Sequence, residues 1–179
     1  MPRSEATARP ISLTGLRQVG VMVGLGEAQA RKADPTQDTM LVAYGLGSCV
    51  ALCLWDENQQ VAGMAHVVMP GEDPSGAPNP RFARSALAAL LRVMREHGSH
   101  SQPQDMAARL VGGARILPSN LAGSVGTANA DALREVLQDA GIPIRAQDLG
   151  GGAGRSVWFD PREGGHLRVR AIGSSDRYL

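Results

Sequence analysis

The stretch GLGSCVALCLWDENQQVAGMAHVVMP, residues 45–70, constrains the fold of this chain more than any other. Alternation in its first half places Val50, Leu52 and Leu54 on one face of a strand and Cys49, Ala51, Cys53 and Trp55 on the other. DENQQ reads as a polar turn, and Val61 to Met69 is apolar again, so the two halves form a β-hairpin. A pairing centred on that turn brings His66 opposite Cys49 or one residue away. One residue of register decides whether the two side chains share a face, and the sequence leaves that register open.

Around the hairpin, the chain reads as one domain over residues 18–179, preceded by a polar tail over 1–17 that carries two prolines. Gln18 to Val23 and Met40 to Tyr44 read as short strands, with the polar, turn-rich GLGEAQARKADPTQDT between them. PGEDPSGAPNP, residues 70–80, is a Pro/Gly loop. Arg81 to His97 is helical: Phe82, Ala86, Leu90, Val93, Met94 and His97 recur at helical spacing, Asn79 before Pro80 suits a cap, and Gly98 suits a stop. Ala108 to Leu117 reads as a buried strand interrupted by Gly112-Gly113, and a second helix runs from about Asn129 to Ala140, with Leu133, Val136 and Leu137 inward. Strands follow at 143–148, 155–159 and 166–172. The sum, about seven or eight strands and two main helices, predicts an α+β layered sandwich with mixed β-sheets.

Charge and composition exclude several classes of function. The formal net charge is +1 and aromatics make up 3% of residues, so there is no basic stripe with stacking aromatics for nucleic acid. Lys32 is the single lysine, and the arginines are spread along the chain as solvated residues usually are. The N-terminal MPRSEATARPISLTG has no apolar signal region, and no apolar run reaches membrane-spanning length. Cys49 and Cys53, four apart in a strand, could pair only with backbone distortion. These features predict a cytoplasmic protein without membrane insertion.

The chemistry concentrates at Cys49. It follows Gly45, Gly47 and Ser48, and glycines there let the backbone bend sharply and gather N–H groups, around Gly47 and Ser48, into an oxyanion-binding concavity. A free thiol titrates near 8.5, so at neutral pH it needs a base, and His66 is the candidate to take its proton and hold the thiolate. Such a pair attacks carbonyl carbon and serves amide, ester or thioester cleavage without a metal or organic cofactor. On their own, a cysteine and a histidine in apolar strands are more often core residues. GGGAG at 150–154 lacks the Lys-Ser/Thr of a phosphate loop and reads as a turn.

GLGSCVALCLWD followed by GMAHVVMP resembles the signature of the CheD family of chemoreceptor glutamine deamidases. ARLVGGARIL, GTANADALREVLQDAGIPI and AQDLGGGAGRSVWFDPREGGHLRVR extend the likeness over roughly residues 18–172. The resemblance implies Cys49 as nucleophile, His66 as its partner, and a fold akin to the cytotoxic necrotizing factor cysteine hydrolases. It implies glutamine side chains of methyl-accepting chemotaxis receptors as substrate, and a CheC-type phosphatase as a partner. The sequence departs from the family pattern in two places. The threonine usual six residues before the nucleophile, thought to orient the histidine, is Ala43 here, and the Arg-Asn pair before the second helix reads Ala128-Asn129. Tyr44, Thr39, Ser48, a backbone carbonyl or water are the substitutes for that hydroxyl. The alternative to an enzyme is a weakly active or inactive binding module for chemoreceptors or a CheC-type phosphatase; hydrolysis of receptor methyl esters is a third reading.

Overall fold

A computed structural model describes residues 20–115 and 120–179; the tail read over 1–17 lies outside them, as does the end of the strand read to Leu117. The hairpin forms as read: β4 (Val50–Asp56) and β5 (Val61–Val67) pair antiparallel, and every residue of both is buried. Burial on both faces follows from their lack of a polar face, because an apolar side chain left in water forfeits about 1.5–3 kcal/mol.

Each face has its own cover. Two five-stranded sheets stack. One runs β2 (Ala28–Lys32), β5, β4, β6 (Ala107–Gly112), β7 (Ile144–Leu149). The other runs β1 (Val21–Met22), β3 (Leu41–Leu46), β8 (Arg155–Phe159), β9 (Leu167–Ala171), β10 (Arg177–Tyr178). Between the sheets, Ala51, Cys53, Trp55, Ala62 and Met64 meet Leu41, Ala43, Val157, Phe159, Leu167 and Val169. On the opposite face, Val50, Leu52, Leu54, Ala65 and Leu110 pack with Leu87, Leu90 and Met94 of α1 (Ala83–Glu96) and Leu133 and Leu137 of α2 (Asn120–Asp139). Parallel pairs (β1–β3, β6–β7) among antiparallel ones make both sheets mixed. The architecture is the α+β layered sandwich with two helices expected from the sequence.

Four local expectations are corrected. AQARK, read as turn, is the edge strand β2, held antiparallel to β5 with Ala30 opposite Gly63. α2 begins at Asn120, well before Asn129. The cap of α1 is Phe82, without a side-chain hydrogen bond. Asn79 instead stays in the loop, where its Oδ1 accepts from the Arg81 N–H at 3.0 Å. The strand read to Leu117 ends at Gly112, the first of the two glycines read as interrupting it, and does not resume over 113–115.

The C-terminal end of α1 is tied to the hairpin by a buried carboxylate. Asp56 is fully buried and accepts from Ser99 Oγ at 2.6 Å, Ser101 Oγ at 2.8 Å and the Gln59 N–H at 3.1 Å. Removing one donor leaves a buried acceptor short, at about 1–3 kcal/mol. Ser99→Ala is therefore expected to lower the urea-unfolding free energy by that amount; a loss under about 0.5 kcal/mol would mean that Ser101 and Gln59 suffice.

Candidate active site

Cys49 stands at the entrance to β4, on the bend that leaves β3. Three donors hold the bend from behind. The Gly113 N–H donates to the Cys49 carbonyl at 2.8 Å, the Ala114 N–H to the Gly47 carbonyl at 2.6 Å, and Asn129 Nδ2 to the Ser48 carbonyl at 3.1 Å. Gly112 is required there: its φ is +125°, and a Cβ would lie 2.2 Å from the Cys49 carbonyl oxygen.

The hairpin register pairs Ala51 with His66. Cys49 is thus two residues from the position opposite His66, neither opposite it nor one away, and an offset of two keeps a side chain on the same face. Ala51, Cys53, Ala62 and Met64 line the core between the sheets, and Cys49 packs at its margin. Cys49 is half-buried, whereas Cys53 is buried; both are free thiols.

His66 is 3% exposed and held from the β1–β2 segment. Its backbone N–H donates to the Glu27 carbonyl and its own carbonyl accepts from Gly26, both at 2.9 Å. The ring Nδ1 lies 3.2 Å from the Val23 carbonyl. A carbonyl can only accept, so Nδ1 carries the proton and Nε2 presents a lone pair. Nε2 is buried and has no hydrogen-bond partner among the described residues. The group behind the ring is therefore a backbone carbonyl. Of the side chains considered for that role, Thr39 Oγ1 donates to Asp160 at 3.4 Å and Tyr44 packs edge-on against Trp158. Ala43 is buried between the sheets.

Burial sets the protonation states. It pushes the Cys49 thiol up, only partly opposed by its own backbone N–H and the Arg81 charge. It pushes Cys53 up to about 12. Burial pushes His66 down, against the Val23 hydrogen bond and the Glu27 charge. Both shifts favour the uncharged forms, a neutral thiol and a neutral imidazole, over the thiolate expected from the sequence.

Beside the bend, Gly113, Arg115, Thr127 and Gly150–Gly152 line an open groove of about 410 Å³. A larger cavity, about 720 Å³, lies away from this site, against Tyr44, Trp158 and Arg168 of the other sheet. No helix among the described residues is long and apolar enough to cross a membrane.

The protein is an α+β double-sheet sandwich backed by two helices, with a half-buried thiol and an Nδ1-protonated imidazole on one hairpin face. The chain belongs to the CheD family: the family model described as CheD chemotactic sensory transduction matches residues 69–171. A relative from Caldanaerobacter subterraneus, named probable chemoreceptor glutamine deamidase CheD, is 33% identical over 162 residues, 88% of this chain and 96% of its own. A span of that length necessarily includes Cys49 and His66, which the family model's match does not reach. A Haloarcula marismortui relative of the same name is 34% identical over 82% of this chain and 83% of its own. The Thermotoga maritima chemoreceptor glutamine deamidase CheD is 31% identical over 87% and 94%. Among solved structures, YfiH of Bacillus licheniformis superposes on 68% of this chain and 49% of its own, with a TM-score of 0.39 and 17% identity.

Two outcomes follow from this geometry. Iodoacetamide at neutral pH is expected to label Cys49 and leave Cys53 untouched in the folded protein, read by peptide mass; equal labelling would contradict the burial difference. His66 has a folded pKa below its ordinary 6.5, so unfolded chains bind the proton more readily. Its contribution to stability is present above 6.5 and is lost as pH falls from there through the lower folded value. Unfolding free energy should decline from about pH 7 to about pH 5, and His66→Gln should flatten that decline; an equal slope in the variant would assign it to other groups.

Proposed function

We propose that this protein is a cytoplasmic cysteine-dependent glutamine deamidase that converts glutamine side chains of chemoreceptors to glutamate through Cys49 and His66. One observation carries the reading: His66 donates its Nδ1–H to the Val23 carbonyl and keeps the Nε2 lone pair, on the hairpin face where Cys49 is exposed enough to react. The relatives' shared name supplies the substrate class. A CheC-type phosphatase as partner rests on the family resemblance alone.

In this mechanism Nε2 takes the thiol proton as sulfur attacks the carboxamide carbon, and the C=O electron pair moves onto oxygen. Backbone N–H groups at the bend stabilise that oxyanion. The protonated imidazole returns its proton to the leaving nitrogen, the C–N bond breaks, and ammonia departs. Nε2 then deprotonates water, which attacks the thioester; the C–S bond breaks, the thiol is reformed and the product is glutamate. A neutral resting pair suits this sequence, because the proton moves only when substrate arrives. The loop between Met69 and Phe82, closed at its base by a bridge between those residues, brings Arg81 near Cys49 and rims the site.

The Val23 carbonyl beside His66 Nδ1 supports the enzyme over the binding module, because it can orient the ring where Ala43 offers no hydroxyl. Cys49→Ala and His66→Ala, incubated with a purified chemoreceptor cytoplasmic fragment, should lose deamidation by at least about 1,000-fold, read as the amide-to-acid mass shift. Wild-type rates in either variant would refute the proposed pair.

A further inference from the structure

We infer that Asn129 is a positioning residue that aims the Cys49 backbone N–H at the oxyanion and ties the nucleophile's bend to the strand of His66. The inference rests on the Cys49–His66 reading and adds a residue to it.

Asn129 is fully buried on α2. Its Nδ2 donates to two carbonyls, Ser48 at 3.1 Å and Val68 at 3.0 Å. Ser48 immediately precedes Cys49, and Val68 follows His66 by two residues, so one amide group links the two arms of the proposed pair. Two acceptors demand an NH₂ group; a carboxylate in the same place would meet both carbonyls with negative oxygen.

The grip on Ser48 has a directional consequence. The Ser48–Cys49 peptide is planar and trans, so its C=O and N–H point in opposite directions. Holding the Ser48 carbonyl against α2 turns the Cys49 N–H away from the helix. That N–H lies within reach of the Cys49 sulfur, where it draws the thiol's pKa down. It is therefore placed where an oxyanion formed by attack of that sulfur would need a donor.

Two further observations separate this role from simple packing. Asn129 Oδ1 is buried without a hydrogen-bond partner among the described residues. An unpaired buried oxygen is less favourable in a core than an apolar side chain of similar shape, so what the amide contributes lies in its two donors. The helix also presses closely on the bend's support: a Cβ on Gly126, one turn before Asn129, would lie 2.7 Å from the Gly113 carbonyl oxygen. Gly113 is the residue whose N–H holds the Cys49 carbonyl. The helix, the bend and the end of β5 thus meet at a single amide.

The experiment compares Asn129→Asp, which keeps the shape and loses both donors, with Asn129→Ser, which keeps one donor. Ser99→Ala, a buried polar contact away from the site, is the control for stability alone. Each full-length variant is assayed well below its melting temperature for kcat and KM on a purified chemoreceptor cytoplasmic fragment, and for the pH profile of Cys49 alkylation. The expected result is a kcat lowered on the order of 100-fold in Asn129→Asp and less in Asn129→Ser. KM should stay within about twofold, and the alkylation profile should move to higher pH. Ser99→Ala should melt lower with both readouts unchanged. If Asn129→Asp does not fold, Asn129→Ser decides. Asn129 variants that melt lower but keep wild-type kcat and alkylation profile would show the residue to be structural and overturn the inference. Activity surviving in Cys49→Ala would instead overturn the reading beneath it.

Discussion

The antiparallel register that sets Ala51 against His66 is the constraint on which the rest of the site depends. A slip of one residue would carry His66 from the space between the sheets to the helix side, and every neighbour on β5 with it. Several features oppose such a slip. The two strands are buried on both faces, so a shift would put Met64 and Trp55 against different partners in a close-packed core. Asp56, at the last rung of the hairpin, is held by two serines from the segment following α1 and by the turn's Gln59 N–H. β2 adds a third ladder by pairing Ala28 with Ala65 and Gln29 with Met64. The register is thus fixed from the turn, the core and the edge at once.

That distribution of constraints explains which parts of the molecule were legible in the sequence. The hairpin, α1, β8 and β9 announce themselves because each carries its own periodicity. β2 does not. AQARK places a single fully buried side chain, Ala30, and its strand form comes from hydrogen bonds to β5, which no local pattern encodes. The early turns of α2 were hidden for a related reason: NLAGSVGTA contains two glycines, which weaken helix propensity, and no apolar period marks the start. Within the proposed site, Cys49 and His66 were visible as residue types that carry chemistry. Val23 was not, because any residue can supply a backbone carbonyl and only the tertiary fold decides which one does. Asn129 was visible only as half of an expected Arg-Asn pair; its partners lie 81 and 61 residues away in sequence.

Burial shapes the site's electrostatics in a way that composition could not convey. A thiol and an imidazole close to water would sit nearer their ordinary values. Partial enclosure raises one and lowers the other, and both shifts favour the uncharged forms. The same enclosure strengthens any hydrogen bond made to a developing oxyanion, since neighbouring dipoles are less screened there than in water. A neutral resting pair and a stronger hydrogen bond to the proposed oxyanion thus follow from the same burial. Cys53 shows the other limit: four residues on, inside β4, full enclosure pushes its thiol up to about 12 and leaves it a core residue.

Ala43 stands where the family resemblance implies a threonine, and the structure gives His66 a partner with different chemistry from a hydroxyl. A hydroxyl both donates and accepts, so it can satisfy either tautomer of an imidazole. A carbonyl accepts only and selects the one with the proton on Nδ1. The Val23 carbonyl is carried to His66 by the parallel pairing of β1 with β3, reinforced by the Val23 N–H donating to the Val42 carbonyl at 2.8 Å. The orienting group is then part of the sheet framework rather than a rotatable side chain, and it holds the ring without needing a rotamer of its own. Ala43 fills the space between the sheets beside Leu41 and Val157 as a core residue. Backbone placement thus selects the Nδ1-protonated tautomer of His66 without a hydroxyl at position 43.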